Sequence, residues 1–334
     1  MPPLVRRSVL VSAFALGASL AFASVAYADK GGFTPVEPYS PNAERIDQAY
    51  NWISIFALAI LVVVEGALIW FVIRYRRGRR ARTVEGPQIH GATRLELIWT
   101  AVPVLIVAAI VAFVLYKLPG IQDVPAARAQ GGPLEIRVDA HQFYWRFTYP
   151  NGATSINDLH VPVDRVVRVR IHSQDVDHSW WVPALQGKFD ALPGEETETW
   201  FRAERAGTYR GQCGEFCGVY HASMRARVIA EPKSAYDDWA RSGAREALGR
   251  SEWVGVCAQC HGMTGRGAYG PSIFNNSILL QRESLRELLR NGQNASGDIA
   301  DYMPPVGRGW SDEQFRALED YLEEEIYEGA GNGG

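Results

Sequence analysis

Two long apolar segments constrain the fold of this chain of 334 residues more than any other feature. The first covers residues 52–73 and is interrupted by Glu65, and the second covers residues 97–118. Each is long enough to cross a bilayer as a helix of about 20 residues. Arginines follow the first segment at once, at Arg74, Arg76, Arg77, Arg79, Arg80 and Arg82. Because basic loops stay in the cytoplasm, the sequence predicts a transmembrane hairpin over residues 51–118 whose two ends lie outside.

The N-terminus carries an export signal that agrees with this topology. Residues 1–28 begin with an arginine pair, continue with a short apolar run and end in the small-residue motif Ala26-Tyr27-Ala28. This pattern predicts a signal peptide, with an uncleaved anchor as the alternative. Residues 29–50 then form a short outer segment. The chain is thus expected in a bacterial inner membrane, with its larger part periplasmic. The net charge of the chain is -3, which gives no indication of nucleic-acid binding.

Beyond the hairpin, the apolar pattern changes from helical to alternating. Residues 133–232 contain several short alternating runs separated by Gly, Pro, Asn and Asp. The runs that we interpret as strands are 134–140, 143–149, 166–171, 197–201, 208–212 and 225–229. Many short strands within about a hundred residues are typical of a Greek-key sandwich.

The C-terminal part reads as helical with short loops. A helix is predicted over residues 234–248, and residues 245–328 form a separate helical domain. Carboxylates outnumber arginines there and lysine is absent, so this domain is acidic. Residues 329–334 are Gly-rich and are predicted to be disordered.

All four cysteines fall into two metal-binding patterns, and the first is Cys213-Gly-Glu215-Phe-Cys217-Gly-Val-Tyr-His221-Ala-Ser-Met224. Thiolate, imidazole and thioether are the soft ligands that suit an electron-transfer copper site. His178, which we expect at a strand end, offers a further ligand from a neighbouring loop of the sandwich. The alternatives are a disulfide, which an oxidising compartment favours, and a zinc site, which would not need the methionine.

The second pattern is Cys257-Ala-Gln-Cys260-His261, the attachment motif of c-type haem. The two thiols would form thioethers, and His261 would bind the iron from one side. Met303, followed by two prolines, is the expected ligand on the other side, because Met263 lies too close to His261 to reach across the ring. A thioredoxin-like redox motif is the competing interpretation, but it needs no histidine after the second cysteine.

These residues resemble a known family. With His178, the cysteine loop resembles the dinuclear CuA site of cytochrome c oxidase subunit II, and Glu96-x-x-Trp99-Thr100 resembles the E-x-x-W-T segment of its second helix. The haem motif and Met303-Pro304 resemble class I cytochromes c. The resemblance implies a multidomain fold: a two-helix transmembrane hairpin, an all-β cupredoxin-like Greek-key sandwich and an all-α cytochrome c domain.

The resemblance also implies roles for individual residues. The implied copper ligands are His178, Cys213, the Glu215 carbonyl, Cys217, His221 and Met224. The side chain of Glu215 would share a magnesium ion with subunit I, and Glu96 would lie at the cytoplasmic mouth of a proton path. One departure concerns electron acceptance: many members have tryptophan where this chain has Phe143, which could be neutral drift or a consequence of the fused haem domain.

The implied function is that of the electron-accepting subunit II of a terminal haem–copper oxidase. Electrons would pass from a donor, such as a cytochrome c or a cytochrome bc complex, to haem c, to CuA and to subunit I. Subunit I, with its haem and CuB, would reduce oxygen and translocate protons, and subunit III would complete the partners. Fusion would raise the effective concentration of the haem to roughly millimolar. The alternatives are the CuA subunit of a nitric oxide reductase, and a non-catalytic copper-handling or redox module.

Overall fold

The computed structural model describes residues 35–75, 88, 90–243, 248–294 and 302–328. The predicted signal peptide (1–28), the predicted tail (329–334) and all of the clustered arginines except Arg74 lie outside these residues. The chain divides into two compact units, residues 44–122 and the rest of the chain. Within the described residues, the predicted architecture of two apolar helices, a β-sandwich and a helical C-terminal region is confirmed.

Two long helices make up the first unit: α1 (Pro41–Tyr75) and α2 (Thr93–Gln122). Both are long and apolar enough to cross a membrane. Each extends beyond the segment that the apolar pattern delimits. Trp52 stacks on Phe113 at 4.2 Å, and Lys117 Nζ donates to Gln48 Oε1 at 2.7 Å. The N-terminal part of α1 and the C-terminal part of α2 therefore lie side by side.

The sandwich consists of two five-stranded sheets. Its strands are β1 (Leu134–His141), β2 (Tyr144–Thr148), β3 (Thr154–Ile156), β4 (Asp158–Pro162), β5 (Val167–Ser173), β6 (His178–Trp181), β7 (Phe189–Ala191), β8 (Thr197–Phe201), β9 (Gly207–Cys213) and β10 (Arg225–Glu231). One sheet has the order β3-β2-β1-β5-β8 and the other β4-β10-β9-β6-β7. Alternating residues such as Val138, Val169 and Val228 fill the space between the sheets and are fully buried.

The alternating sequence pattern did not predict four of these strands: β3, β4, β6 and β7. Each has three to five residues, which is too short for alternation to stand out from chance. The omission matters because β6 begins at His178 and pairs with the end of β9 through Trp180 and Cys213. This pairing brings the two chain segments with candidate copper ligands to one end of the sandwich.

The helix α3 (Lys233–Asp238, continuing as a π-helix to Gly243) packs against the sandwich core through Tyr236 and Trp239. The short helices that follow surround a second apolar core in the C-terminal region: α4 (Leu248–Glu252, continuing as a π-helix to Cys257), α5 (Ala258–His261), α6 (Arg282–Asn291) and α7 (Asp312–Tyr321, continuing as a π-helix to Glu328). A two-stranded ribbon, β11 (Gln293–Asn294) with β12 (Tyr302–Met303), follows α6. Ser311 caps α7 in a capping box with Gln314. Trp253, Phe315 and Leu318 are fully buried among these helices.

The sandwich and the C-terminal helices pack directly on each other. Tyr144 and Ile156 of the sandwich belong to the buried apolar cluster of the helices. Asn157 Nδ2 donates to the backbone oxygen of Gly255 at 2.9 Å, and a Cβ on Gly255 would lie only 2.4 Å from Ile156 Cγ2. The helical domain is therefore in close contact with the sandwich, which adds a packed interface to the covalent tether that the sequence predicts.

Candidate metal centres

The cysteine loop connects β9 to β10 at one end of the sandwich. Cys213 is the last residue of β9, and a 3₁₀ turn over His221–Ser223 precedes β10. The β6–β9 pairing brings His178 to the same end. The antiparallel pairing of β9 with β10, with Gln212 opposite Arg225, closes the loop on itself. The candidate metal ligands are therefore brought together by the β9–β10 hairpin and by the strand β6 beside it.

The six predicted copper ligands come together at this end of the sandwich, five from the loop and His178 from β6. Cys213 Sγ lies 3.9 Å from His178 Nδ1 and 3.1 Å from the backbone oxygen of Glu215. Cys217 Sγ lies 3.5 Å from His221 Nδ1 and 3.8 Å from the Sδ atom of Met224. The ligand atoms of His178, Cys213 and Cys217 lie within 4.8 Å of one another, and all three residues are buried. This set of soft donors fits a copper centre.

Electrostatics favours one thiolate and an oriented imidazole. The pKa of Cys213 is lowered to about 3 because Cys217 donates a hydrogen bond to it, and the pKa of the donor Cys217 rises accordingly. Burial opposes protonation of His178, but hydrogen bonds with Asp175 and Cys213 outweigh it and raise its pKa. Asp175 Oδ1 lies 2.7 Å from His178 Nε2, so the carboxylate fixes the ring with Nδ1 toward the cysteines.

Asp175 has a supporting role that sequence reasoning missed, although its signal was present. A carboxylate three residues before a candidate histidine ligand can bond the ring nitrogen that faces away from the metal. A second feature of the loop is Gly218, whose φ of +133° favours glycine. A Cβ at this position would also lie 2.9 Å from Gln142 Nε2, and this nitrogen donates to the backbone oxygen of Cys217 at 2.6 Å.

A cavity of about 710 Å³ lies beside the Cys-x-x-Cys-His motif. Its volume is within the range of roughly 300–1,000 Å³ that is usual for cofactor pockets. Cys257, Cys260 and His261 line one part of it, together with apolar side chains such as Leu289. His261 Nδ1 lies 2.8 Å from the backbone oxygen of Pro271, which leaves Nε2 available to a metal. Two thiols and an oriented imidazole in a mainly apolar cavity fit a covalent haem.

Met303 lines the same cavity as His261, from β12. It packs partly buried against the apolar cluster of the helical domain. Met263 is 58% exposed and does not line the cavity. Of the two methionines in this domain, the structure brings the one that the sequence favours into the cavity.

The sandwich and its loops contribute part of the cavity wall. Gln142, Phe143 and Tyr220 line the cavity alongside residues of the C-terminal helical region. The ring of Phe143 is 6% exposed and meets Tyr220 edge to face at 5.4 Å. Tyr220 in turn lies 6.0 Å, centroid to centroid, from Tyr269 of the haem domain. Sequence reasoning identified Phe143 as a departure but gave no sign of Gln142 or Tyr220, because a contact between domains leaves no local pattern.

The two carboxylates with implied accessory roles lie at different places. The side chain of Glu215 is exposed, while its carbonyl faces Cys213. Glu96 occupies the first turn of α2, where its Oε1 accepts from the backbone nitrogen of Ala92 at 3.2 Å. A carboxylate at this position also stabilises the helix N-terminus, so the geometry alone is compatible with a capping role.

Comparison with known proteins agrees with these sites. The chain matches three family models: the cytochrome c oxidase subunit II transmembrane domain over residues 32–118, the periplasmic domain of that subunit over 153–231, and cytochrome c oxidase, cbb3-type, subunit III over 244–322.

Individual relatives point the same way. The chain is 33% identical over 318 residues to cytochrome c oxidase subunit 2 of Alkalihalophilus pseudofirmus, covering 86% of this chain and 90% of that protein. It is 30% identical over 271 residues to the same subunit of Synechocystis, covering 69% and 81%. The crystal structure of the periplasmic domain of subunit II from Bradyrhizobium japonicum is 31% identical, with a TM-score of 0.34, and covers 37% of this chain and 97% of that domain. This chain therefore belongs to the cytochrome c oxidase subunit II family and carries a cytochrome c domain at its C-terminal end.

Proposed function

We propose that this oxidase subunit accepts electrons from an external protein at a covalently bound haem c and passes them through CuA to subunit I. Oxygen reduction in subunit I would then be coupled to proton translocation. The observation that carries this proposal is the presence of two sets of metal donors in one compact unit, beside a cavity wall that both domains share. When bound, the dinuclear copper and the haem iron each supply a site that can gain and lose one electron.

For the copper site, the proposal assigns a role to each side chain. Cys213 and Cys217 would hold the copper ions through their sulfurs, since each sulfur lies within 3.9 Å of a histidine nitrogen. His178, His221 and Met224 would complete the ligands together with the carbonyl of Glu215. Asp175 would keep the His178 ring in position by its hydrogen bond of 2.7 Å. A rigid, buried set of ligands limits the change in geometry on reduction, which favours fast transfer.

For the haem site, Cys257 and Cys260 would carry the thioether bonds. Burial raises the pKa of the Cys257 thiol to about 12. His261, oriented by its Nδ1 contact with Pro271, and Met303 would be the side chains that hold the haem iron. A histidine and a methionine as iron ligands would favour a high reduction potential.

Two carboxylates would act at the boundaries with partner subunits. The exposed side chain of Glu215 is available to a magnesium ion shared with subunit I. Glu96, at the start of α2, would lie at the cytoplasmic mouth of a proton path. Oxygen anions suit magnesium, and a carboxylate near a water-filled path can exchange protons.

The proposal extends to partners and location. Subunit I would supply the oxygen-reducing haem and CuB, subunit III would join the complex, and a cytochrome c or a cytochrome bc complex would be the donor. The two apolar helices would anchor the chain in a bacterial inner membrane, with a copper domain over residues 133–232 and a haem domain over residues 245–328 on the periplasmic side. The exposed apolar side chains of α1 and α2 support burial in lipid or against other subunits.

The experiment is purification of the tagged chain from detergent-solubilised membranes with its native partners. We expect covalent haem c, two coppers attributable to this chain, and cyanide-sensitive oxygen uptake with reduced cytochrome c. Nitric oxide consumption without oxygen uptake would instead indicate a nitric oxide reductase subunit. Haem c and copper without a catalytic partner would indicate a copper-handling or redox module.

A pair of histidine variants tests the copper assignment directly. His178→Ala should lower the copper content and abolish the spectrum of a dinuclear centre. His172→Ala is the matched control, because His172 lies in β5, a strand of the other sheet, with its Nδ1 3.1 Å from the backbone oxygen of Glu195. Equal copper content in both variants and the unaltered protein would overturn the assignment of His178.

A further inference from the structure

The side chain of Gln142 connects the two candidate centres. It lies between β1 and β2, and its Nε2 donates to the backbone oxygen of Cys217 at 2.6 Å. Its Oε1 accepts from the hydroxyl of Tyr302 at 3.2 Å. Cys217 is a proposed copper ligand, and Tyr302 directly precedes Met303, a proposed iron ligand. A single amide thus bridges the copper loop and the segment that supplies an iron ligand.

The backbone of Gln142 is held on the copper side. Its amide nitrogen donates to Asp175 Oδ2 at 2.7 Å, and the other oxygen of Asp175 contacts His178 Nε2 at 2.7 Å. The side chain of Gln142 therefore contacts the cysteine loop directly, and its backbone is linked to His178 through Asp175. Its remaining acceptor is directed at the haem domain.

The chemistry of a primary amide suits this position. Its nitrogen donates and its oxygen accepts, so one side chain can satisfy a carbonyl at one end and a hydroxyl at the other. An ionised carboxylate could accept from Tyr302 but could not donate to the Cys217 carbonyl, and an aliphatic side chain could do neither. Gln142 also lines the cavity itself, so its replacement changes the wall between the two sites.

We propose that Gln142 is a positioning residue for electron transfer between haem c and CuA, an inference that rests on the function proposed above. In this step one electron leaves ferrous haem iron, which becomes ferric, and reduces the copper pair by one electron. No covalent bond forms or breaks, and no proton is transferred. Gln142 holds the Tyr302–Met303 strand against the Cys217 loop, so that the electron crosses at one fixed geometry.

The test uses the full chain in its oxidase complex and compares Gln142→Leu, Tyr302→Phe and the double variant. The haem is reduced by a light pulse, and the rate of electron arrival at copper is followed optically. Loss of one hydrogen bond should reduce the population of the correctly docked arrangement, and hence the rate, about fivefold in Tyr302→Phe. The double variant should be no slower than Gln142→Leu alone, because both changes delete the same interaction.

Two further measurements separate positioning from general stability. Gln142→Leu should shift the near-infrared band and the electron paramagnetic resonance of the copper centre, since the hydrogen bond to Cys217 is lost, whereas Tyr302→Phe should leave both unchanged. Tyr149→Phe is the matched control. It removes two half-buried hydrogen bonds with the backbone of His160, one donated to its oxygen at 3.0 Å and one accepted from its nitrogen at 2.7 Å. Tyr149 does not line the cavity, so this variant should keep the unaltered transfer rate.

Specific outcomes would overturn the inference. Tyr302→Phe with an unchanged transfer rate would mean that the bridge does not position the centres. A Tyr149→Phe rate as slow as that of Tyr302→Phe would mean that the rate follows overall stability. Failure of the proposed function has a different signature: the unaltered chain would then lack copper or covalent haem before any variant is compared.

Discussion

Trp310 Nε1 donates a hydrogen bond of 2.6 Å to the phenolic oxygen of Tyr144. The same oxygen donates to the backbone oxygen of Val306, also at 2.6 Å. Tyr144 belongs to β2 of the sandwich, whereas Val306 and Trp310 precede α7 of the haem domain. One buried hydroxyl therefore joins the two domains, and its satisfied donor and acceptor explain how a polar group can lie within an apolar interface.

Removing that hydroxyl should destabilise the packed pair of domains. Tyr144→Phe leaves the indole of Trp310 and the carbonyl of Val306 buried without their partner. We expect the free energy of unfolding to fall by about 1–3 kcal/mol, measured by urea denaturation of the purified chain. A loss below about 0.5 kcal/mol, the range of ordinary surface substitutions, would contradict this role.

A buried carboxyl in the haem domain should make stability depend on pH. Glu252 is fully buried, and burial raises its pKa well above the usual value, although Gln314 and Arg146 oppose the shift. The folded state therefore binds this proton more tightly than the unfolded state. The resulting stabilisation is fully present below the pKa of an ordinary glutamate, about 4.3, and is lost as the pH rises from there through the higher pKa of the folded state.

Replacement by an uncharged amide tests the sign of this effect. Glu252→Gln should be more stable than the unaltered chain at pH 7, with the difference shrinking toward about pH 4, where the carboxyl is protonated in both states. Thermal unfolding at the two pH values measures it. An equal difference at both pH values would show that packing, and not ionisation, is responsible.

Phe143 should not tolerate the larger ring that many relatives of the family have at this position. It is 6% exposed and packs against Tyr220 at the cavity wall. Phe143→Trp should overpack the interface, with a loss of about 1–3 kcal/mol in the free energy of unfolding. We expect no gain in the rate of electron transfer from haem to copper. A large acceleration would mean that the phenylalanine limits transfer and is not neutral drift.

Met224 should affect copper more than it affects the fold. It is fully buried, with its Sδ 3.8 Å from Cys217 Sγ. Met224→Leu conserves volume, so the copper-free chain should lose less than about 1.5 kcal/mol of stability. Copper affinity and the copper spectrum should change because a thioether ligand is lost. Met263→Leu, at an exposed position outside the cavity, is the control and should leave copper binding unchanged.

The acidic surface of the haem domain should govern the reaction with the donor. A donor with a basic face would be steered by it, so the rate of donor oxidation should fall as ionic strength rises from about 0.01 to 0.1 M, where the screening length shortens from about 30 to 10 Å. Glu324→Gln with Glu325→Gln, two exposed carboxylates in the extension of α7, should weaken this dependence. Insensitivity of the unaltered chain to salt would exclude steering.

The sequence predicts a copper site at the cysteine loop because the chemistry of this loop is local. Cys213, Cys217, His221 and Met224 lie within twelve residues, and thiolate, imidazole and thioether at these spacings leave few alternatives. The haem motif is equally local. His178 was harder to assign, because its place beside Cys213 depends on a strand pairing, β6 with β9, that no local pattern indicates.

Local sequence patterns did not predict the contacts between domains. Gln142 follows a strand and Tyr302 belongs to a two-residue ribbon, and neither has a periodicity that marks its partner 160 residues away. Short strands such as β7 were missed for a related reason, since three residues cannot display alternation. Long-range packing decides these features, and local propensity only permits them.

The two halves of the cysteine site differ in how far apart their partners lie along the chain. Cys217 and His221 are four residues apart, whereas Cys213 and His178 are separated by 35. Closure of a short loop precedes pairings of high contact order, so the first half can form early in folding and the second only when β6 joins β9. A metal that requires both halves binds the completed sandwich in preference to its precursors. Copper would thereby be bound selectively by chains whose sandwich has already folded.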